Sequence, residues 1–287
     1  MKKLPRRPAV AGMFYEADPE LLRNQIEESY LHPLGPGKLP KISIKGPRKV
    51  LGIVSPHAGY MYSGPIAAHG FYQLAIDGKP DTFIILGPNH TGLGSPIATM
   101  IGDYWITPLG KVDIDSELAK EVVKLSGIVD IDPSAHRYEH SVEVQIPFLQ
   151  YLFGEIKFVP ISMMWQTPEA ALRIAKAIHE ASEKLNRDIV IIASTDLNHY
   201  EPHSETVKKD KMTINAILRR DSEELSKILD AYNISMCGPG PTMVLMEYSK
   251  LVNHEVEVKL LKHATSGDIT GDKSAVVGYA SIVFRRR

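Results

Sequence analysis

The stretch DIVIIASTDLNHY, residues Asp188 to Tyr200, sets an apolar run against an acid and an imidazole. Ile189–Ala193 is apolar without alternation, the pattern of a strand covered on both faces. Such a strand needs helices above and below it, which predicts an α/β fold. The run then empties at once into Asp196 and His199. Chemistry placed there points to a site at the carboxyl end of a sheet, where open α/β folds bind ligands.

Further strands are predicted at Val50–Ser55, Thr82–Gly87, Lys157–Ile161, Val256–His263 and Ala275–Phe284. Apolar residues at helical spacing predict helices at Pro19–Tyr30, Pro65–Leu74, Ser116–Leu125, Glu143–Leu152, Pro168–Leu185, Thr206–Leu218, Glu223–Ala231 and Pro241–Leu251. This interleaving predicts one layered domain over residues 1–287, a central and partly parallel β-sheet flanked by helices. The last two strands follow one another without a helix, which makes the sheet mixed. The Pro-, Gly- and Lys-rich segment Pro33–Gly46 could hinge a separate piece, but the residues before it are too few for an independent core.

Composition narrows the partners. Lys plus Arg (33) nearly balances Asp plus Glu (34), so no net field favours nucleic acid or an anionic membrane. No apolar run approaches the roughly 20 residues of a membrane-spanning helix. The start, MKKLPRRPAV, lacks the apolar stretch of a signal peptide. A soluble, cytoplasmic protein is the expectation. The single cysteine, Cys237, permits no intrachain disulfide.

Two other predicted strands end as the first one does. After VLGIVS comes Pro56-His57-Ala58-Gly59-Tyr60, and after TFIILG comes Pro88-Asn89-His90. If these strands are parallel neighbours, His57, His90 and His199 share one rim, where imidazole can ligate metal or move protons near neutral pH. Cys237 stands in MCGPGP just before the predicted helix at Pro241, a place that would lower its pKa toward the thiolate, unless it is simply a small buried hydrophobe. His136 and His140 are four apart, a spacing that can share a metal on one helical face. Glu139 and Glu143 have the same spacing, and a solvated charged face is the plainer reading for them. His32, His69, His179 and His254 read as structural, Ser266–Asp272 as a turn, and Arg285–Arg287 as a solvated tail.

The ordered motifs AGMFY (Ala11–Tyr15), SPHAGYMYSG (Ser55–Gly64), ILGPNH (Ile85–His90), EHSVEVQIPF (Glu139–Phe148), STDLNH (Ser194–His199) and CGPGP (Cys237–Pro241) together resemble the MEMO family. That family is similar in fold to the extradiol non-haem iron dioxygenases of the LigB type. The resemblance implies His57, His90 and Cys237 as metal ligands, with Asp196 and His199 beside them as a catalytic pair. It puts His140 near the same pocket, and Phe14 and Tyr15 in its wall. The family often carries Trp where this chain has Phe14. The iron dioxygenases complete their ligand set with a carboxylate, whereas here the third ligand would be a softer thiolate, which favours copper(I) or zinc as competitors of iron.

Three functions follow as expectations. The first is an iron- or copper-dependent oxidoreductase with His199 as acid or base and Asp196 orienting it. The second is a binding or adaptor protein that keeps a vestigial pocket, its ligand a small molecule or a peptide. The third is a zinc hydrolase.

Overall fold

The computed structural model describes residues 5–102, 104–252 and 255–287. His254 lies outside the described residues. The strands are β1 (Val50–Ser55), β2 (Thr82–Pro88), β3 (Ile97–Thr99), β4 (Tyr104–Thr107), β5 (Gly110–Ile114), β6 (Asp130–Ile131), β7 (Lys157–Met163), β8 (Ile189–Ser194), β9 (His199–Glu201), β10 (Val256–Thr265) and β11 (Val276–Arg286). The helices are α1 (Pro19–Leu31), α2 (Tyr60–Asp77), α3 (Ser116–Ser126), α4 (Ile146–Phe153), α5 (Pro168–Leu185), α6 (His203–Arg219), α7 (Ser222–Ala231), α8 (Pro239–Leu251) and α9 (Ser266–Thr270).

The main path of the sheet runs β10-β11-β1-β8-β2-β7-β3-β6. Its centre, β1-β8-β2-β7, is parallel throughout. β10, β11 and β3 join antiparallel, so the sheet is mixed. Alternate residues of β8 supply two different cores. Ile189, Ile191 and Ala193 pack with residues of α3, α5, α7 and α8 on one face. Val190 and Ile192 pack with residues of α1, α2 and α4 on the other. Each buried isoleucine or valine of the run contributes about 1.5–3 kcal/mol, which is why an unbroken apolar run marks a central strand.

Several boundaries differ from the sequence reading. α2 begins at Tyr60 rather than Pro65, so Pro65 stands inside the helix. The Tyr60 N–H, free of any intrahelical partner at that first position, donates to the Phe14 carbonyl (2.7 Å). Glu143–Gln145 forms a 3₁₀ turn ahead of α4. Ser266–Thr270 is a short helix closed by a Thr265–Asp268 capping box, where a turn was expected. Arg285 and Arg286 belong to β11 rather than to a tail, and Arg285 pairs with Glu257. No helix among the described residues is long and apolar enough to cross a membrane.

Candidate metal centre

Parallel β1, β8 and β2 lie side by side, so their following loops meet at one edge of the sheet. His57 follows β1, His90 follows β2, and His140 arrives from the loop before α4. The ligand atoms of these three imidazoles lie within 4.8 Å of one another, so the cluster could hold a metal ion. Ring centroids are 5.2 Å apart for His57 and His90, 5.4 Å for His57 and His140, and 4.7 Å for His90 and His140. A set of three neutral nitrogens suits zinc, copper or iron.

Glu139 organises two members of the set. Its Oε1 accepts from His90 Nδ1 (2.9 Å), from the His140 N–H (2.9 Å) and from the Ser141 N–H (2.8 Å). Its Oε2 accepts the His90 N–H at 2.5 Å. Burial alone would push this carboxyl up. The His90 hydrogen bond, the charges of His90 and His140 and the Ser141 N–H outweigh it and bring the pKa down to about 2. Glu139 is therefore an ionised carboxylate behind a ligand ring, the arrangement that fixes imidazole orientation in metal sites.

A second buried carboxylate anchors the loop from behind. Glu143 accepts from Arg6, from the backbone N–H groups of Ala9 (2.8 Å) and Val10 (3.1 Å), and from the Tyr15 hydroxyl (2.6 Å). Arg6 also donates to the carbonyls of His136 (3.0 Å) and Glu139 (2.6 Å). The N-terminal segment is thereby tied to the loop that carries Glu139 and His140. Neither glutamate lies on a solvated face; both are buried.

On the other side of His57, Asp196 Oδ1 accepts the His57 N–H at 2.9 Å, and Oδ2 lies 4.0 Å from His57 Nε2. Burial pushes the Asp196 carboxyl up to about 6, against the N–H groups of His57 and Ala58 and the charge of His199. Burial, then the charges of His140, His90 and His199, hold His57 well below its ordinary pKa. His57 is thus neutral near pH 7, the form a metal requires. His140 is lowered too, chiefly by burial.

A family profile described as "Memo-like protein" matches residues 6–283. The chain belongs to the Memo-like family. A MEMO1 family protein of Ignicoccus hospitalis is 54% identical over 282 residues, covering 98% of this chain and 99% of that one. Another from Sulfolobus acidocaldarius is 52% identical, covering 97% and 99%. A third from Methanopyrus kandleri is 52% identical, covering 99% and 100%. The crystal structure of an uncharacterized protein from Escherichia coli K12 shares the fold, with a TM-score of 0.53 at 11% identity, over 82% of this chain and 99% of that one.

In this Memo-like chain the remaining expected site residues fall as follows. Cys237 Sγ lies 3.2 Å from His57 Nε2, so the thiol touches the cluster through one imidazole, while His140 completes the mutually close set. The thiol pKa is raised, by burial and then by Asp196, the reverse of the expected lowering. The amide at the start of α8 is engaged elsewhere: the Gly240 N–H donates to Gln166 Oε1 (2.9 Å). His199 is half-exposed, and its Nδ1 donates to the Ser235 carbonyl (2.8 Å). Phe14 packs on the His140 ring at 4.7 Å. Tyr15 is buried behind the loop on Glu143. His136 does not share a metal with His140; it is fully buried and its Nε2 donates to the Ala98 carbonyl (3.1 Å). The sequence reading passed over Arg6 and gave Glu143 no role. The signal was a lone acid inside the apolar stretch VEVQIPF, because a charge so placed demands a buried partner.

Proposed function

We propose that the histidine cluster at the strand ends is the active site of a metal-dependent oxidoreductase, with iron or copper held by His57, His90 and His140. Its ligand is a small organic molecule or a peptide. The observation that carries this reading is the convergence of three imidazole ligand atoms within 4.8 Å at the carboxyl ends of parallel strands. Iron or copper, if held there, would supply electron transfer and Lewis acidity.

The chain's own residues do the rest. Glu139 orients His90, and Phe14 shields one face of His140. Asp196, its carboxyl pushed up by burial and set against His57, serves as the acid–base group beside the cluster. His199, half-exposed, passes protons between the cluster and solvent. Cys237 beside His57 offers a soft sulfur that favours copper(I). One observation also favours a zinc hydrolase: three imidazoles are a donor set that would suit catalytic zinc, which would supply an activated water, with Asp196 as the acid–base group beside His57.

Metal analysis of the full chain purified without chelators tests the site, beside His57→Ala, His90→Ala and His140→Ala. Stoichiometric metal in the parent and a loss of about tenfold or more in affinity for each variant is expected. Unchanged metal content in all three variants overturns the site. Oxygen uptake by the iron- or copper-loaded protein supports the oxidoreductase; ester turnover confined to the zinc-loaded protein moves the assignment to hydrolysis.

A further inference from the structure

The hydroxyl of Ser194, the last residue of β8, contacts three groups. It lies 2.6 Å from the Ser141 carbonyl oxygen, 2.9 Å from Gln145 Nε2 and 2.9 Å from His57 Nδ1. Two of these contacts have fixed direction. A carbonyl has no proton to give, and two oxygens 2.6 Å apart repel unless a hydrogen lies between them, so the serine proton belongs to Ser141. The Gln145 amide nitrogen also reaches the Pro56 carbonyl at 2.9 Å, which orients its NH₂ group as the donor toward both oxygens. A serine hydroxyl has one proton and two lone pairs. With the proton spent and one lone pair filled by Gln145, the remaining lone pair can only accept. The group that donates to it is His57 Nδ1–H.

We propose that Ser194 is a positioning residue that locks His57 as its Nδ1–H tautomer and so turns an unprotonated Nε2 toward the cluster. This rests on the metal-site reading for its purpose, though the tautomer itself does not require a metal. Two neighbours follow the same logic through stronger acceptors. His90 Nδ1 donates to the Glu139 carboxylate and His199 Nδ1 to the Ser235 carbonyl, each at the distance already given. His57 differs in that its acceptor is a hydroxyl, a group that could have donated instead. The choice is made by the Ser141 carbonyl, which belongs to the same loop as His140. The seating of the His140 loop thereby sets the proton of His57. With Nε2 bare, the Cys237 sulfur 3.2 Å away can meet it only as a donor, sharing its one proton with the Asp196 carbonyl 3.6 Å from the same sulfur.

The test is two-bond ¹H–¹⁵N correlation of the imidazoles in the metal-free full chain, with His57 assigned by comparison with His57→Gln. A protonated, pyrrole-type Nδ1 and a pyridine-type Nε2 are expected. Ser194→Ala should lose this preference and bind cobalt(II), measured against a competing chelator, about 10–100-fold more weakly. Ser194→Thr, which restores the hydroxyl, should recover both. A protonated Nε2 in the parent protein overturns the proposal, as does Ser194→Ala with unchanged tautomer and affinity. If Ser194→Ala does not fold, the parent spectrum and Ser194→Thr still decide. The expected tautomer in a folded protein that binds no cobalt(II) would sink the metal reading and leave the lock standing.

Discussion

At the scale of single residues, Glu139 and His136 show how burial gives one group a task and another a liability. Glu139 holds His90 and His140 through three hydrogen bonds and Ser141 through a fourth. Glu139→Gln keeps the shape but removes the charge and sets an amide against donors. It should cost about 1–3 kcal/mol in urea unfolding and weaken metal binding about 10–100-fold in a chelator competition. His136 is fully buried, its Nδ1 has no hydrogen-bond partner among the described residues, and burial with the adjacent Arg6 lowers its pKa to about 4. Below pH 6.5 the unfolded chain takes up a proton that the folded chain refuses until pH 4. Stability should therefore fall across that window by an amount on the order of 3 kcal/mol. His136→Gln should flatten this slope in unfolding curves taken from pH 7 to 4; an unchanged slope would assign it to another group.

At the scale of elements, the contact between β11 and α6 is the most exacting. A methyl group on Gly278 would sit 1.9 Å from Asp210 Oδ2. That carboxylate accepts from the Asn198 N–H (3.0 Å) and from His263 Nε2 (2.8 Å), so it steadies the loop of Asp196 and His199 from beneath. Gly278→Ala should destabilise the protein by about 3 kcal/mol, read as a lower urea midpoint with an unchanged slope. The long central strands were legible in sequence because each is apolar on both faces. β3 to β6 were not, since they are two to five residues long; β3 and β6 owe their pairing to partners remote in sequence, and β4 and β5 form a hairpin too short to show a clear period. The rim of histidines was legible for the same reason as the strands. The resemblance set His140 near the pocket, but its place among the ligand atoms followed only from its loop being tied to Arg6 and Glu139, and Cys237's distance from the other imidazoles depended on how α8 is seated.

At the scale of the whole molecule, the N-terminal segment behaves as part of the site's frame. Arg6→Met would leave Glu143 buried without its cation, a loss of about 3–5 kcal/mol. Pairing it with Glu143→Gln should recover part of that loss in the double-mutant comparison of unfolding free energies; strict additivity would deny the coupling.

The position of β8 between β1 and β2 also has a temporal meaning. His57, His90 and His140 are all translated before Ile189, the first residue of the strand that must wedge between the two bearing His57 and His90. A nascent chain on the ribosome thus displays every imidazole of the cluster while the gap between their supports stands open. The cage takes form only when a later segment arrives to close it. The cluster is therefore assembled only after the polypeptide is more than half made, and such late, long-range closure is the slow step expected of parallel sheets.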